Sequence, residues 1–247
     1  MNPAVRESQT PRTSSLHPLT AIWTIARKDW LIEGRARDVL TATLFFAGMV
    51  VVIQVFAFGP SNASSSEFAK VLKQAAPGVL WVAVAFASIL AANRAFAAEA
   101  EDGALEALLA YPVPPEFLYL GKLLANLGLM LILATIVAPV TIFLYGLSVG
   151  SGWPLLILTV FLGTAGFSIV STFFSALTVN LRAREALLPI IVFPLVVAVV
   201  LGAVNATVGI VTLAPADEVW KWLRLLIGFD VVLVTTCTLV FPFAVES

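Results

Sequence analysis

Six apolar runs, each about as long as a bilayer is thick, leave this chain little choice of fold. They cover residues 39–58, 78–98, 123–147, 155–179, 187–210 and 223–245. A helix needs about 20 consecutive apolar residues to cross the hydrocarbon core of a membrane. Every one of the six meets that length. Barrel strands would be about ten residues long and would alternate between apolar and polar side chains; these runs are long and continuous. The expectation is an all-α integral membrane protein with six transmembrane helices. Composition agrees: 60% of the 247 residues are hydrophobic and 12% are charged, against about 45–50% and 25% in soluble domains.

The segments between the runs set orientation. With the N-terminus inside, Arg6, Arg12, Arg27, Lys28, Arg35, Arg37, Arg94, Lys122, Arg182 and Arg184 fall on the cytoplasmic side, ten of the fourteen basic residues. Lys70, Lys73, Lys221 and Arg224 fall outside. Lysine and arginine favour the cytoplasmic face, so both termini are expected there. Residues 1–16 are polar, without the apolar core of a cleavable signal, and read as a disordered extension to a single six-span domain over 17–247. Residues 17–38 place Leu19, Ile22, Trp23, Ala26 and Trp30 on one helical face, with Arg27 and Lys28 off it. That pattern describes an amphipathic helix lying in the inner interface, tryptophans at headgroup depth. Kinks are expected at Pro139, Pro189 and Pro194.

Between the second and third runs lies "AAEAEDGALEALLAYPVPP", residues 97–115. Glu99, Asp102 and Glu106 recur at i, i+3, i+7 and share a helical face beside Leu105, Leu108 and Leu109; Glu101 adds a fourth acid and no base intervenes. Asp102 and Glu106, at i, i+4, repel each other on their own helix, which a basic partner would relieve. Pro112, Pro114 and Pro115 end the element. The segment reads as a short amphipathic cytoplasmic helix presented to something soluble, or as a solvated loop.

Several motifs together resemble one family. "APGVLW" (76–81) opens the second run; "EDGALEALLAYPVPP" (101–115) follows, then Lys122; "LPIIVFP" (188–194) and "FPF" (241–243) lie further on. With six spans and this length, the chain resembles the haem exporter permeases, protein B of cytochrome c maturation systems, from about residue 20 to the end. The resemblance implies a permease subunit of an ABC-type complex, engaged in haem export or in ATP-driven release of a haem-loaded chaperone. It implies a coupling helix docking on an ATP-binding subunit, which assigns that role to Glu99, Glu101, Asp102, Gly103, Leu105, Glu106, Leu108 and Leu109. It further implies a tryptophan-rich haem-handling membrane protein and a small single-span subunit as partners. Six spans are half of an ABC transporter's usual twelve, so a homodimer or a pairing with another subunit is expected; no nucleic acid is. An ABC-type permease for another substrate and a non-transporting membrane scaffold are the alternatives.

No GxxxxGK[ST] sequence occurs, so ATP hydrolysis is expected in a separate subunit and this chain is not expected to be an enzyme. No metal site and no directly bound cofactor are expected: His17 is the only histidine and precedes the spans, and Cys237 is the only cysteine. ATP would act through one partner, and haem would find its axial ligands on another. Two intramembrane features remain. Asp230 lies within the sixth run, where an ionisable residue is a functional candidate; it is otherwise interfacial, if that helix starts late. Thr164, Ser168, Ser171 and Ser175 repeat at spacings of four and three in the fourth run, beside Gly163 and Gly166. They suit close packing within the chain, or a lining or subunit interface.

Overall fold

The computed structural model describes residues 18–57, 65–101, 114–180 and 188–245. Those residues form seven helices: α1 (Pro18–Ala36), α2 (Asp38–Ala57), α3 (Ser65–Glu101), α4 (Pro115–Leu144), α5 (Trp153–Asn180), α6 (Leu188–Val211) and α7 (Ala216–Val245). The six from α2 to α7 are long and apolar enough to cross a membrane. They correspond in order to the six apolar runs.

Three helices outgrow their runs; α4 starts at Pro115, eight residues before its own. α3 has 37 residues, about 55 Å at 1.5 Å per residue, against a hydrocarbon core of about 30 Å. Residues 65–77, expected in an outer loop, are its first turns. Their composition, "SSEFAKVLKQAAP", is rich in good helix formers but not apolar, so hydropathy stops short of them. α7 starts at Ala216, seven residues before the apolar run, with Asp217 and Glu218 in its first turn, where the helix dipole favours acids. Asp230 therefore sits at the middle of a 30-residue helix, about 21 Å from its start.

α4 and α6 run on through Pro139 and Pro194. Pro189 is in the first turn of α6, where its missing N–H has no intrahelical partner to lose.

α5 is the centre of the bundle, packed against α3, α4, α6 and α7. Trp81, the last residue of "APGVLW", shows why the helices close on one another. It is buried, donates from Nε1 to Thr207 Oγ1 of α6 at 2.9 Å, and lies with its ring centroid 6.0 Å from that of Phe167 on α5. Gly163 makes the space: a Cβ there would stand 2.4 Å from the indole. The α4–α5 and α6–α7 turns meet at one end of the bundle, where Leu213 Cδ2 would lie 3.0 Å from a Cβ on Gly150. Gly150 has φ 56° and Leu213 φ 58°.

α1 joins α2 through a single residue, Arg37, at φ 55°. The Glu33 carboxylate accepts from the Leu40 N–H at 2.7 Å and so caps the start of α2.

Candidate functional site

The acidic segment is divided. Glu99 and Glu101 fall in the last turn of α3, which continues without a break from the second span. Asp102, Gly103, Leu105, Glu106, Leu108 and Leu109 lie outside the described residues, as do the tail 1–16 and His17.

α4 resumes at Pro115 and carries α1 on its first half. Gly121, Ala125 and Gly128 form a small-residue face along α4. A Cβ at Gly121 would meet Ile25 Cβ at 2.7 Å, and one at Gly128 would meet the Trp30 ring at 2.6 Å. Small residues permit such close approach of helices. Trp30 Nε1 donates to the Ala125 carbonyl at 3.0 Å. Lys122 Nζ, on a residue only 2% exposed, pairs with Asp29 Oδ2 at 3.2 Å. The α1 face in contact with α4 thus runs through Ile25, Ala26, Asp29 and Trp30. Leu19 and Trp23 are exposed, and Trp23 meets Trp30 edge-on at 5.6 Å. One expected stripe is really two flanks, one docked and one free.

In the bundle, Thr164, Ser168, Ser171 and Ser175 are all buried. Ser171 Oγ lies 2.8 Å from Ser88 Oγ of α3. Asn126 of α4 donates from Nδ2 to Ser171 Oγ at 3.2 Å and to Thr172 Oγ1 at 2.9 Å. This polar node joins three helices. One or two turns away, the hydroxyls of Thr164 and Ser168 have no hydrogen-bond partner.

Asp230 lies on another side of α5. A Cβ at Gly166 would stand 2.7 Å from Asp230 Oδ1 and 2.9 Å from a Val199 methyl. Gly166 precedes Ser168 by two residues, a rotation of roughly 200° about the helix. The hydroxyl stripe and the carboxylate are therefore on nearly opposite faces. Asp230 is 8% exposed, and neither carboxylate oxygen has a hydrogen-bond partner. Arg224, the nearest base in its own helix, is exposed and donates from Nε to the Trp220 carbonyl. Among the described residues, no three His, Cys, Asp or Glu come together as a metal site would require.

Sequence reasoning did not reach Asn126, Ser88, Thr172 or the Asp29–Lys122 pair. A lone amide in "KLLANLGLML" and the small face 121, 125, 128 were available signals. Which distant residue each would meet was not.

A family model described as CcmB protein matches residues 20–247. The chain belongs to the CcmB family. Three similar proteins carry the name "Heme exporter protein B". That of Paracoccus denitrificans is 34% identical over 173 residues, 69% of this chain and 74% of its own length. The Pseudomonas aeruginosa protein is 31% identical over 189 residues, 74% and 79% of the two chains. The Bradyrhizobium diazoefficiens protein is 31% identical over 197 residues, 78% and 83%. The CcmB match takes in α1 almost whole together with all six candidate spans.

Proposed function

We infer that this chain is the membrane-spanning permease subunit of an ABC-type complex of cytochrome c maturation, serving haem export or the ATP-driven release of a haem-loaded chaperone. The observation that carries this is the CcmB match across residues 20–247 of a multi-pass chain. ATP is hydrolysed by a separate subunit, and haem is ligated by a tryptophan-rich membrane partner; a small single-span subunit and a second copy of this chain complete the assembly. The complex sits in the bacterial inner membrane with both termini of this chain in the cytoplasm.

Segment 97–111 is the contact with the ATP-binding subunit. α3 exceeds the bilayer in length, which supports a position for its acidic end beyond the hydrocarbon core. α1 lies in the inner interface. Its exposed Leu19 and Trp23 form an apolar flank with Arg27 one turn further along it and Arg35 turned away, a composition suited to a helix sunk part-way among headgroups. Through Gly121, Ala125 and Gly128 it is tied to the helix that follows the coupling segment, so the two can move together.

Purification of the tagged chain from native membranes tests the reading. An ATP-binding subunit and a haem-absorbing membrane protein should co-purify, and deletion should remove haem-staining c-type cytochromes. Normal cytochromes in the deletion strain would overturn it.

A further inference from the structure

Asp230 is a carboxylate at the centre of a membrane-spanning helix, enclosed and without a donor. Ionised there it would be costly, and such residues ordinarily pair with a base or line a water-filled cavity. Among the described residues, its surroundings offer no base. α5 and α6, packed on α7, contain no Asp, Glu, Lys, Arg, His, Cys or Tyr over residues 153–180 and 188–211. α4 also packs on α7, and its titratable residues are Glu116, Tyr119 and Lys122. Tyr119 donates to the Ile169 carbonyl at 3.1 Å, Lys122 is paired with Asp29, and Glu116 is in the first turn of α4. On α7 itself, Asp217, Glu218, Lys221 and Arg224 lie in the first turns, and Cys237 is two turns beyond Asp230.

The space around the carboxylate decides what it can bind. Gly166 is so close that even a methyl group would not fit between it and Oδ1, and the Val199 methyls close the same side. A metal cation would need several oxygen ligands, and the hydroxyls of Thr164 and Ser168 project from the far side of α5. A proton needs no such shell. We propose that Asp230 is a proton-binding site of the permease, taking up one proton when α7 is packed on α5 and returning it to water when that seam opens. One O–H bond forms or breaks, and nothing else changes hands. α5 is the central helix of the bundle, so a carboxyl enclosed between it and α7 is placed to sense any opening of that seam.

The test uses the intact complex in membranes and dicyclohexylcarbodiimide, an apolar reagent that consumes the proton of a carboxylic acid as it adds to it. Peptide mass spectrometry should find the adduct on Asp230, with labelling falling as the pH is raised and absent from D230N. Asn has nearly the same volume and cannot exchange the proton. D230N at wild-type membrane levels should lower c-type cytochromes to the level of the deletion strain. Absence of an adduct at Asp230 at every pH would overturn the proposal, and so would wild-type cytochrome levels in D230N. Should D230N fail to accumulate, labelling of the wild-type chain decides alone. That arm needs only the membrane-embedded chain, so it stands apart from the cytochrome c assignment.

Discussion

Ser171 and Thr164 stand on the same face of α5, yet substitution should move them in opposite directions. Ser171 is shared by Ser88 and Asn126, so Ser171→Ala takes a hydrogen-bond partner from buried polar groups on two other helices and leaves Asn126 with Thr172 alone. Interhelical hydrogen bonds in membranes are worth about 0.6 kcal/mol on average and up to about 1.7. The variant should melt at a lower temperature than the wild-type protein in the same detergent. Thr164 Oγ1 makes no hydrogen bond, so Thr164→Val keeps the shape and removes a buried hydroxyl that gains nothing; it should melt at or above the wild-type temperature. Equal losses in both variants would mean that the stripe works by size alone. Gly163 is under a different constraint. Trp81 is 1% exposed and hydrogen-bonded to Thr207, so it cannot yield to a new methyl group, and Gly163→Ala should destabilise by about 1–3 kcal/mol. The spacing of the stripe was legible in the sequence because periodicity is local. The difference between Ser171 and Thr164 was not, because it depends on Ser88 and Asn126, far along the chain.

Helices were legible where hydropathy defines them and illegible where something else does. The middles of all six spans follow from burial in lipid, which any apolar run of sufficient length satisfies. The first turns of α3 and α7 instead rest on helix propensity and on acids at a positive helix end, and a hydropathy reading passes over both. α1 shows a further limit. Its stripe of Leu19, Ile22, Trp23, Ala26 and Trp30 told that the helix is amphipathic, but not that α4 would take one flank of it. That choice was made by Gly121, Ala125 and Gly128, and by Lys122, which read as a loop base and is in fact buried against Asp29. The pair makes a prediction at this scale. Removing one partner of a buried ion pair costs about 3–5 kcal/mol in soluble proteins, and Asp29 is the more exposed member, so a smaller loss is expected. Asp29→Asn should loosen α1 from α4, and trypsin should then cleave after Arg27 or Lys28 faster than in the wild-type protein, with the rest of the bundle intact. Unchanged cleavage would leave the glycine contacts and the Trp30 hydrogen bond as the whole attachment.

At the scale of the molecule, packing fixes which ends lie together, and charge supplies the expectation of which way they point. The α4–α5 and α6–α7 turns touch through Gly150 and Leu213, so they share one side. The start of α4 carries α1, and the end of α3 leads towards it through the acidic segment, so these belong to the opposite side. None of this depends on a membrane. The basic residues give the expected direction: Arg27, Lys28, Arg35, Arg37 and Lys122 lie on the α1 side and Lys70, Lys73, Lys221 and Arg224 towards the other, and by the ten-to-four count over the sequence the α1 side is expected in the cytoplasm. Single cysteines in a Cys237→Ala background test the result, since Cys237 is buried and apolar-packed. A cysteine replacing Ser148 should react with an impermeant maleimide in intact cells, and one replacing Gly103 only after permeabilisation. The acidic segment would then face the compartment where an ATP-binding subunit resides. On that side, Asp102→Lys with Glu106→Lys should abolish co-purification of that subunit at unchanged membrane levels, because a charged contact fixes register and loss of a buried partner costs about 2–5 kcal/mol. Reversing Glu7, in the polar tail, should have no effect. If the double reversal still brings down the ATP-binding subunit as well as the wild type does, the contact is not electrostatic, and the α1 flank bearing Arg27 and Arg35 becomes the surface to dissect.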